Sequence, residues 1–286
     1  MPLLELEDIT LCYEQIGSGP DLILVMGLGG QLAHWHPSFV DMLAEDFRVT
    51  IFDNRDVGCS THFSGSGSLP KAVFQATTGR PVDAPYTLKD MAQDTVKLMN
   101  GLAIPEAFAF GISMGGMIVQ ELALLAPQRI KGLVSMMSSP GGARHAAMGL
   151  RPMQVLLQKP AIDKEDSIKK ALAFWKATRG SVYRHDEAFI ISQAERAWER
   201  DQDKTGTARQ FLAILATRSR LQRLASIKAP ALVIHGSDDR LILPSAGRAT
   251  ANAIPGAYYL EISGLGHEMA PACYPIIGTM MRSLAS

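Results

Sequence analysis

The chain has 286 residues, and its 28 Lys and Arg balance its 28 Asp and Glu, so the formal net charge is zero. A neutral balance offers no electrostatic footprint for nucleic acid or an anionic membrane, and a hydrophobic content of 47% argues against disorder. No apolar run approaches the roughly 18 residues of a membrane span, and the N-terminal residues lack the basic and apolar regions of a signal peptide.

Short apolar runs bounded by turn-forming residues recur along the chain. Their hydrophobicity is continuous rather than alternating, which is typical of strands buried on both faces of a parallel sheet. We predict strands at 21–26, 48–53, 107–110, 132–137, 231–235 and 257–262.

Helical patterns separate these runs. The segment Thr87–Asn100 begins with Thr-x-x-Asp, which resembles a capping box, and its apolar residues recur at helical spacing. A second helix is predicted over Ser113–Leu125, ahead of Pro127. Alternating strands and helices predict an α/β fold with a mostly parallel central sheet flanked by helices.

The alternation stops between residues 141 and 226, where the patterns are helical (163–176, 186–200 and 207–223), and it resumes at Ala231. These helices could be ordinary crossovers, but they are too many for one connection. We therefore predict a core formed by residues 1–140 and 227–286, with residues 141–226 inserted as a helical cap over one edge of the sheet.

The pentapeptide Gly-Ile-Ser-Met-Gly at 111–115 follows one of the predicted strands and opens a helix. In this context G-x-S-x-G places the serine on a sharp strand-to-helix turn, where flanking side chains would clash. The helix start behind the serine presents free backbone N–H groups toward developing negative charge. A plain glycine-rich turn is the alternative, and we interpret Ser113 as a nucleophile.

A serine nucleophile needs an adjacent base that is oriented by a carboxylate. His267 lies in a glycine-flanked loop after the last predicted strand, which suits a base that must face two partners. Two adjacent aspartates, Asp238 and Asp239, follow the strand at 231–235 and compete for the role of the acid, and Glu268 is a third candidate.

The oxyanion of an acyl-transfer intermediate needs two backbone donors. One is predicted to be the N–H of Met114, the residue after the nucleophile, and the other the N–H of Leu28 in the turn after the strand at 21–26. The alternative for this turn is a flexible glycine loop without a role. We predict substrate contacts from Gly29, Trp35 and Met117. Trp35 could equally be a core or surface-patch residue, and most methionines of the chain are simply core residues.

These motifs together resemble the α/β-hydrolase superfamily over essentially the whole chain. The segment 53–60 matches the family's D-x-R-G-x-G-x-S turn, except that Asp56 replaces the first glycine. Met26 stands where histidine is commoner before Gly27, so a side chain that often braces the oxyanion loop is missing. The combination looks most like the branch that contains aclacinomycin methylesterase and related carboxylesterases. The resemblance selects Asp239 as the acid, because the family places the acid three residues after a glycine such as Gly236.

The resemblance implies a serine esterase that cleaves small-to-medium apolar carboxylic esters through an acyl-enzyme, with no cofactor or metal. Carbon–carbon bond hydrolases, lactonases, thioesterases and perhydrolases share the triad and remain alternatives, and a hydrolase-fold ligand receptor is a further one. We expect a small-molecule ester as the only partner class, with no nucleic acid or membrane. Three scattered cysteines and the absence of a signal sequence lead us to expect a cytoplasmic protein.

Overall fold

The computed structural model describes residues 1–65, 67–145, 149–156, 158–183, 187–201 and 203–285. Eight strands in these residues form one sheet, in the spatial order β1-β2-β4-β3-β5-β6-β7-β8. In chain order they are β1 Leu3–Glu5, β2 Thr10–Ile16, β3 Asp21–Val25, β4 Arg48–Phe52, β5 Ala107–Ile112, β6 Ile130–Met136, β7 Ala231–Gly236 and β8 Tyr258–Ile262. The strands β1 and β2 pair in antiparallel fashion, and β3 to β8 are parallel. The predicted mostly parallel sheet is therefore confirmed.

Each predicted apolar run became a strand, and all of these strands except the edge strand β8 are covered on both faces. In β3, Leu22 and Leu24 pack into the apolar cluster on one face, and Ile23 and Val25 pack into the cluster on the other. Successive side chains of a strand point to opposite faces, so a strand buried on both sides needs apolar residues throughout. The prediction missed β1 and β2, which lie at the antiparallel edge of the sheet, because their burial is incomplete and polar residues interrupt them.

Helices cover both faces of the sheet and form the insertion between β6 and β7. They are α1 Pro37–Ala44, α2 Leu69–Thr77, α3 Leu88–Gly101, α4 Met114–Leu125, α5 Leu150–Leu156, α6 Lys164–Thr178, α7 Glu187–Arg200, α8 Gly206–Ala216, α9 Pro244–Ala253 and α10 Tyr274–Ala285. At the start of α3, Thr87 and Asp90 form the predicted capping box. None of the helices in the described residues is long and apolar enough to cross a membrane.

The helix predicted over 207–223 is shorter in the structure, since α8 ends at Ala216. Arg220 lies four residues beyond the end of α8, and its side chain is 1% exposed. Its Nε donates to Gln120 Oε1 at 3.0 Å and its Nη2 to the Ser139 carbonyl at 2.8 Å. These buried hydrogen bonds join the chain where it leaves the insertion to α4 and to the end of β6, so tertiary contacts override the local helical pattern.

The helices α5 to α8, together called the cap below, contact the loops that follow four of the parallel strands. Gln210 of α8 meets the loop after β3, and Arg200 of α7 meets the loop after β4. The connection between α6 and α7 meets the loops after β7 and β8 through Ser181 and Gly180. The carboxyl edge of the sheet, where ligands bind in open α/β sheets, therefore lies beneath the cap.

Asp56, the residue that replaces a glycine of the family pattern, ties the cap to the core. It keeps the left-handed backbone of a glycine, with φ of 70°, which aspartate tolerates better than most residues. Its fully buried carboxylate accepts hydrogen bonds from Arg209 Nη2 at 2.8 Å and Arg209 Nε at 3.0 Å. The Tyr86 hydroxyl and the Phe63 N–H also donate to it, at 2.5 and 2.7 Å. The substitution for glycine therefore adds a buried ion pair between α8 and the core.

Removal of this charge should destabilise the fold. We expect Asp56→Asn to lower the free energy of unfolding by about 3–5 kcal/mol, since it leaves Arg209 without this buried carboxylate while asparagine still tolerates the left-handed backbone. Urea unfolding followed by circular dichroism measures the loss. The matched control is Glu106→Gln in the exposed Lys131–Glu106 pair, which should leave the urea midpoint unchanged. Equal midpoints for the two variants would contradict the assigned role of Asp56.

Candidate active site

Ser113 lies on the sharp turn between β5 and α4 in a strained conformation, with φ of 54° and ψ of −119°. Space for this turn depends on the flanking glycines. A Cβ atom on Gly111 would lie 2.1 Å from the Gly115 carbonyl oxygen, and one on Gly115 would lie 2.0 Å from the Val25 carbonyl oxygen. Strain of this kind persists only where the surrounding structure holds it and is concentrated at functional sites. The Ser113 carbonyl is fixed by a hydrogen bond from Ser138 Oγ at 2.8 Å.

His267 and Asp239 meet at the same edge of the sheet. The distance between His267 Nδ1 and Asp239 Oδ2 is 2.8 Å, and the Asp239 carboxylate is buried. Its other oxygen, Oδ1, accepts the N–H groups of Leu241 and Ile242, each at 2.9 Å. Because an ionised carboxylate only accepts, Nδ1 carries the proton and Nε2 is left as the acceptor. That tautomer is the one a general base requires.

A second histidine also faces the acid. His235 is fully buried, and its Nε2 lies 2.8 Å from the Ile242 carbonyl oxygen and 3.2 Å from Asp239 Oδ2. Both neighbours are acceptors, so Nε2 of His235 carries a proton and donates to them. The Asp239 carboxylate is thus held by two backbone N–H groups and two imidazole rings, which restrict its rotation.

The other two candidate acids, Asp238 and Glu268, accept hydrogen bonds from backbone N–H groups of the cap. Asp238 Oδ2 accepts the Ser181 N–H of the cap at 3.1 Å, and its Oδ1 accepts the Ser237 hydroxyl at 2.9 Å. The hydrogen bond from Ser181 lowers the pKa of Asp238 below that of an ordinary aspartate. Glu268 is buried, and its Oε1 accepts the Gly180 N–H of the cap at 3.0 Å. Both carboxylates therefore join the cap to the core.

The free energy of unfolding depends on the protonation state of Asp239. Burial alone would raise the pKa of this carboxyl, but the interactions with His267 and His235 outweigh burial and hold the pKa well below its usual range. In the unfolded chain an aspartate titrates near ~3.9, so the unfolded state takes up the proton first as the pH falls. The contribution of Asp239 to stability is therefore complete above that pH and is lost as the pH falls toward the folded pKa.

This pH dependence gives a measurable difference in acid between the wild type and a variant without the Asp239 carboxyl. We expect the free energy of unfolding of the wild type to fall more steeply below about pH 4 than that of Asp239→Asn, which has no carboxyl to protonate at this position. Urea unfolding of both proteins at a series of pH values gives the two slopes. Parallel slopes would show that Asp239 titrates alike in the folded and unfolded chains.

The loop after β3 faces the nucleophile. A Cβ on Gly27 would lie 3.1 Å from Ser113 Cβ, so this loop passes directly beside Ser113. The Gly30 N–H donates to the Gly27 carbonyl at 3.0 Å, which closes a turn with Leu28 at its second position. Within the described residues, the N–H groups of Leu28 and Met114 have no hydrogen-bond acceptor. Two unpaired donors beside Ser113 are the arrangement that an oxyanion requires.

The three predicted substrate contacts lie in different surroundings. Gly29 lies beneath the cap, where a Cβ would approach Thr207 Oγ1 to 2.8 Å. Trp35 is 4% exposed and stacks on Phe39 in the apolar core, at a centroid distance of 5.9 Å. Met117 is buried in the first turn of α4 and belongs to the apolar cluster on the other face of the sheet.

One cluster outside the Ser113 site has ligand atoms suited to a metal ion. Cys12, Asp53 and Cys59 bring one such atom each within 4.8 Å of one another. Arg200 of the cap donates to Asp53 Oδ2 at 2.5 Å and to Cys12 Sγ at 3.7 Å. A guanidinium therefore already pairs with the carboxylate, and a metal ion would have to displace it.

Sequence reasoning did not identify two residues that shape the site. Asp53 Oδ1 accepts the Leu32 N–H at 2.7 Å and so holds the chain just after the loop that follows β3. Asp53 is the first residue of the motif at 53–60, and this position could have indicated its role from the sequence. Gln210 contacts Gly29 from the cap, and a glutamine in the middle of a helix carries no local signal.

The comparisons with known proteins agree with the observed fold. The sequence model of the alpha/beta hydrolase fold family matches residues 20–270. Rhodomycin D methylesterase DnrP of Streptomyces peucetius is 27% identical, over 94% of this chain and 92% of that protein. A Mycobacterium tuberculosis protein, provisionally named non-heme bromoperoxidase BpoC, is 27% identical over 91% of each chain. The solved enol-lactonase from Burkholderia xenovorans LB400 has a TM-score of 0.74 at 24% identity, covers 99% of both chains and shows the shared fold.

Proposed function

Since this chain belongs to the alpha/beta hydrolase family, we propose that it is a serine hydrolase that cleaves small-to-medium apolar carboxylic esters. Ser113 is the nucleophile, His267 the general base, Asp239 the orienting acid, and the N–H groups of Leu28 and Met114 form the oxyanion hole. The observation that carries the proposal is the 2.8 Å hydrogen bond between His267 Nδ1 and Asp239 Oδ2, at the sheet edge that also carries the strained Ser113.

The chemistry follows from these positions. Ser113 Oγ attacks the ester carbonyl carbon while Nε2 of His267 takes the hydroxyl proton, and the carbonyl π electrons become the oxyanion. The Asp239 carboxylate stabilises the imidazolium that forms. The tetrahedral intermediate collapses, the bond to the alkoxide breaks, and the imidazolium protonates the leaving alcohol. A water molecule, deprotonated by the same imidazole, then attacks the acyl-enzyme and releases the carboxylic acid and the free Ser113.

The ester preference rests on the resemblance to the methylesterase branch and on the similarity to Rhodomycin D methylesterase DnrP. The triad is shared by carbon–carbon bond hydrolases, lactonases and perhydrolases, which differ in pocket shape and in the attacking or leaving group. The similarity to a protein provisionally named as a bromoperoxidase keeps acyl transfer to hydrogen peroxide as the second candidate.

A series of p-nitrophenyl esters with increasing acyl length tests the proposal. We expect multiple turnovers, with the highest rate at short or medium acyl chains, because the proposed substrates are small to medium in size. A ligand receptor would give at most one covalent event per chain. If no ester were hydrolysed while a fluorophosphonate still labelled Ser113, ester cleavage would be rejected in favour of the other substrate classes, and the peroxide-dependent reaction would be assayed next.

A further inference from the structure

One residue of the cap forms a hydrogen bond with the turn that carries the Leu28 N–H. Gln210 lies in α8 and its side chain is fully buried. Its Oε1 accepts the Gly29 N–H at 2.8 Å, and its Nε2 donates to the Arg55 carbonyl at 2.7 Å. Because one partner only donates and the other only accepts, the orientation of the amide is fixed.

The hydrogen bond to Gly29 acts on the conformation of the turn. The turn spans 27–30, and its third residue, Gly29, has φ of +68°, which is the signature of a type II turn. Type I and type II turns differ by a flip of the central peptide, here the peptide between Leu28 and Gly29. The Gly29 N–H belongs to that peptide, so Gln210 selects one of its two orientations and thereby fixes ψ of Leu28 and φ of Gly29, immediately after the Leu28 N–H.

The anchors of Gln210 are themselves rigid. Arg55, whose carbonyl receives Nε2, is buried and forms a two-point ion pair with Asp94, at 2.5 and 2.6 Å. The helix that carries Gln210 is fixed one residue earlier, where Arg209 pairs with Asp56. Gln210 thus joins the turn to two segments that buried ion pairs hold in place. Met26 stands before Gly27, where the resemblance described above leads us to expect a histidine.

We propose that Gln210 is a positioning residue of the oxyanion hole, supplied by the cap in place of a brace within the loop itself. This inference rests on the proposed function, because it concerns the same reaction at Ser113. Gln210 does not touch the substrate in this proposal. It holds the Leu28 N–H in the direction that the oxyanion needs, so its loss should weaken binding of the transition state more than binding of the ester.

The test uses two substitutions of Gln210 in the full-length protein. Gln210→Met keeps the volume and removes both hydrogen bonds, and Gln210→Asn keeps the amide but shortens its reach. Loss of one oxyanion donor costs about 10²–10³ in kcat in a serine protease. Because Gln210 acts through one donor, we expect kcat to fall by about 10–100-fold while KM changes by less than about threefold.

The inhibition constant of a trifluoromethyl ketone distinguishes a positioning role of Gln210 from a merely structural role. Ser113 Oγ adds to the ketone carbonyl, the proton passes to His267, and the resulting hemiketal oxyanion occupies the oxyanion hole. We expect the inhibition constant of the ketone to rise by the same factor as kcat falls, while thermal unfolding shows that the variant is folded. Binding of the product carboxylic acid should change by less than about threefold, because it lacks the tetrahedral oxyanion.

Gln193→Met is the matched control. Gln193 is also a cap glutamine, and its Nε2 donates to the His34 carbonyl at 2.7 Å, outside the turn at 27–30. We expect this variant to retain kcat and the affinity for the ketone. A folded Gln210→Met enzyme with unchanged kcat and ketone affinity would overturn the inference alone, as would loss of folding in both Gln210 variants, which would make the residue structural. A wild type that neither hydrolyses esters nor binds the ketone would overturn the proposed function itself.

Discussion

Ser113→Ala should lower kcat for a p-nitrophenyl ester by about 10⁴–10⁶-fold, because it removes the atom that forms the acyl-enzyme. The remaining rate is what the oxyanion hole and substrate binding provide without a nucleophile. The comparison is of kcat for the purified wild type and variant, with active-site titration by a fluorophosphonate. In the wild type the reagent forms a bond from Ser113 Oγ to phosphorus and expels fluoride, and the variant should remain unlabelled.

The matched control is another buried serine at the carboxyl edge of the sheet. Ser139 donates its hydroxyl to the His145 carbonyl at 3.2 Å and accepts the Gly141 N–H at 3.0 Å. Ser139→Ala should retain kcat within about threefold, because this hydroxyl takes no part in the proposed reaction. If Ser113→Ala retained near-normal turnover in a folded protein, Ser113 would be removed from the mechanism.

Asp239→Asn should be far more damaging than Asp238→Asn. Asp239 accepts the proton-bearing Nδ1 of His267, and an asparagine there favours the wrong imidazole tautomer, with a loss of ~10⁴ in kcat in the best-studied triad. The Asp238 carboxylate accepts the Ser181 N–H and the Ser237 hydroxyl, and in the described part of the chain no hydrogen bond joins it to His267. We expect Asp238→Asn to cost less than about tenfold, through a looser contact with the cap.

The two aspartates form an internal control, because they are neighbours and undergo the same substitution. Both kcat values are measured on the same ester at neutral pH, and thermal unfolding shows that each variant is folded. Equal losses, or a larger loss for Asp238→Asn, would reverse the assignment of the acid. Loss of activity in both variants with an unfolded cap would instead identify the contact with Ser181 as essential.

Several features of this protein could be predicted from local sequence because their causes are local. A strand buried on both faces needs consecutive apolar residues, so the five buried parallel strands β3 to β7 were predicted near their observed positions. The nucleophile turn depends on close backbone approach at Gly111 and Gly115, which only glycine permits. Any chain with this strand, turn and helix must place the serine at the same kind of bend, so the candidate nucleophile could be named without a structure.

Local pattern did not distinguish features that depend on the packing of distant segments. The residues alone left Asp238 and Asp239 as competitors, and only the paths of the loops after β7 and β8 bring Asp239 to His267. Trp35 could have lined a pocket or the core, and its stacking on Phe39 places it in the core. The same holds for the segment after α8, where Arg220 is buried and hydrogen-bonded to residues of the core instead of continuing the helix.

The sequence by itself therefore determined the fold class and the residue most suited to act as a nucleophile, because both depend on short-range backbone geometry and on hydrophobic pattern. The family was indicated by the resemblance of its motifs. The tertiary structure alone decided how the site is braced. Gln210 and Gly29 are 181 residues apart along the chain, and Arg209 reaches Asp56 across 153 residues. No local propensity encodes such contacts, since a polar side chain in a helix acquires its partner only when the helices and the sheet have packed.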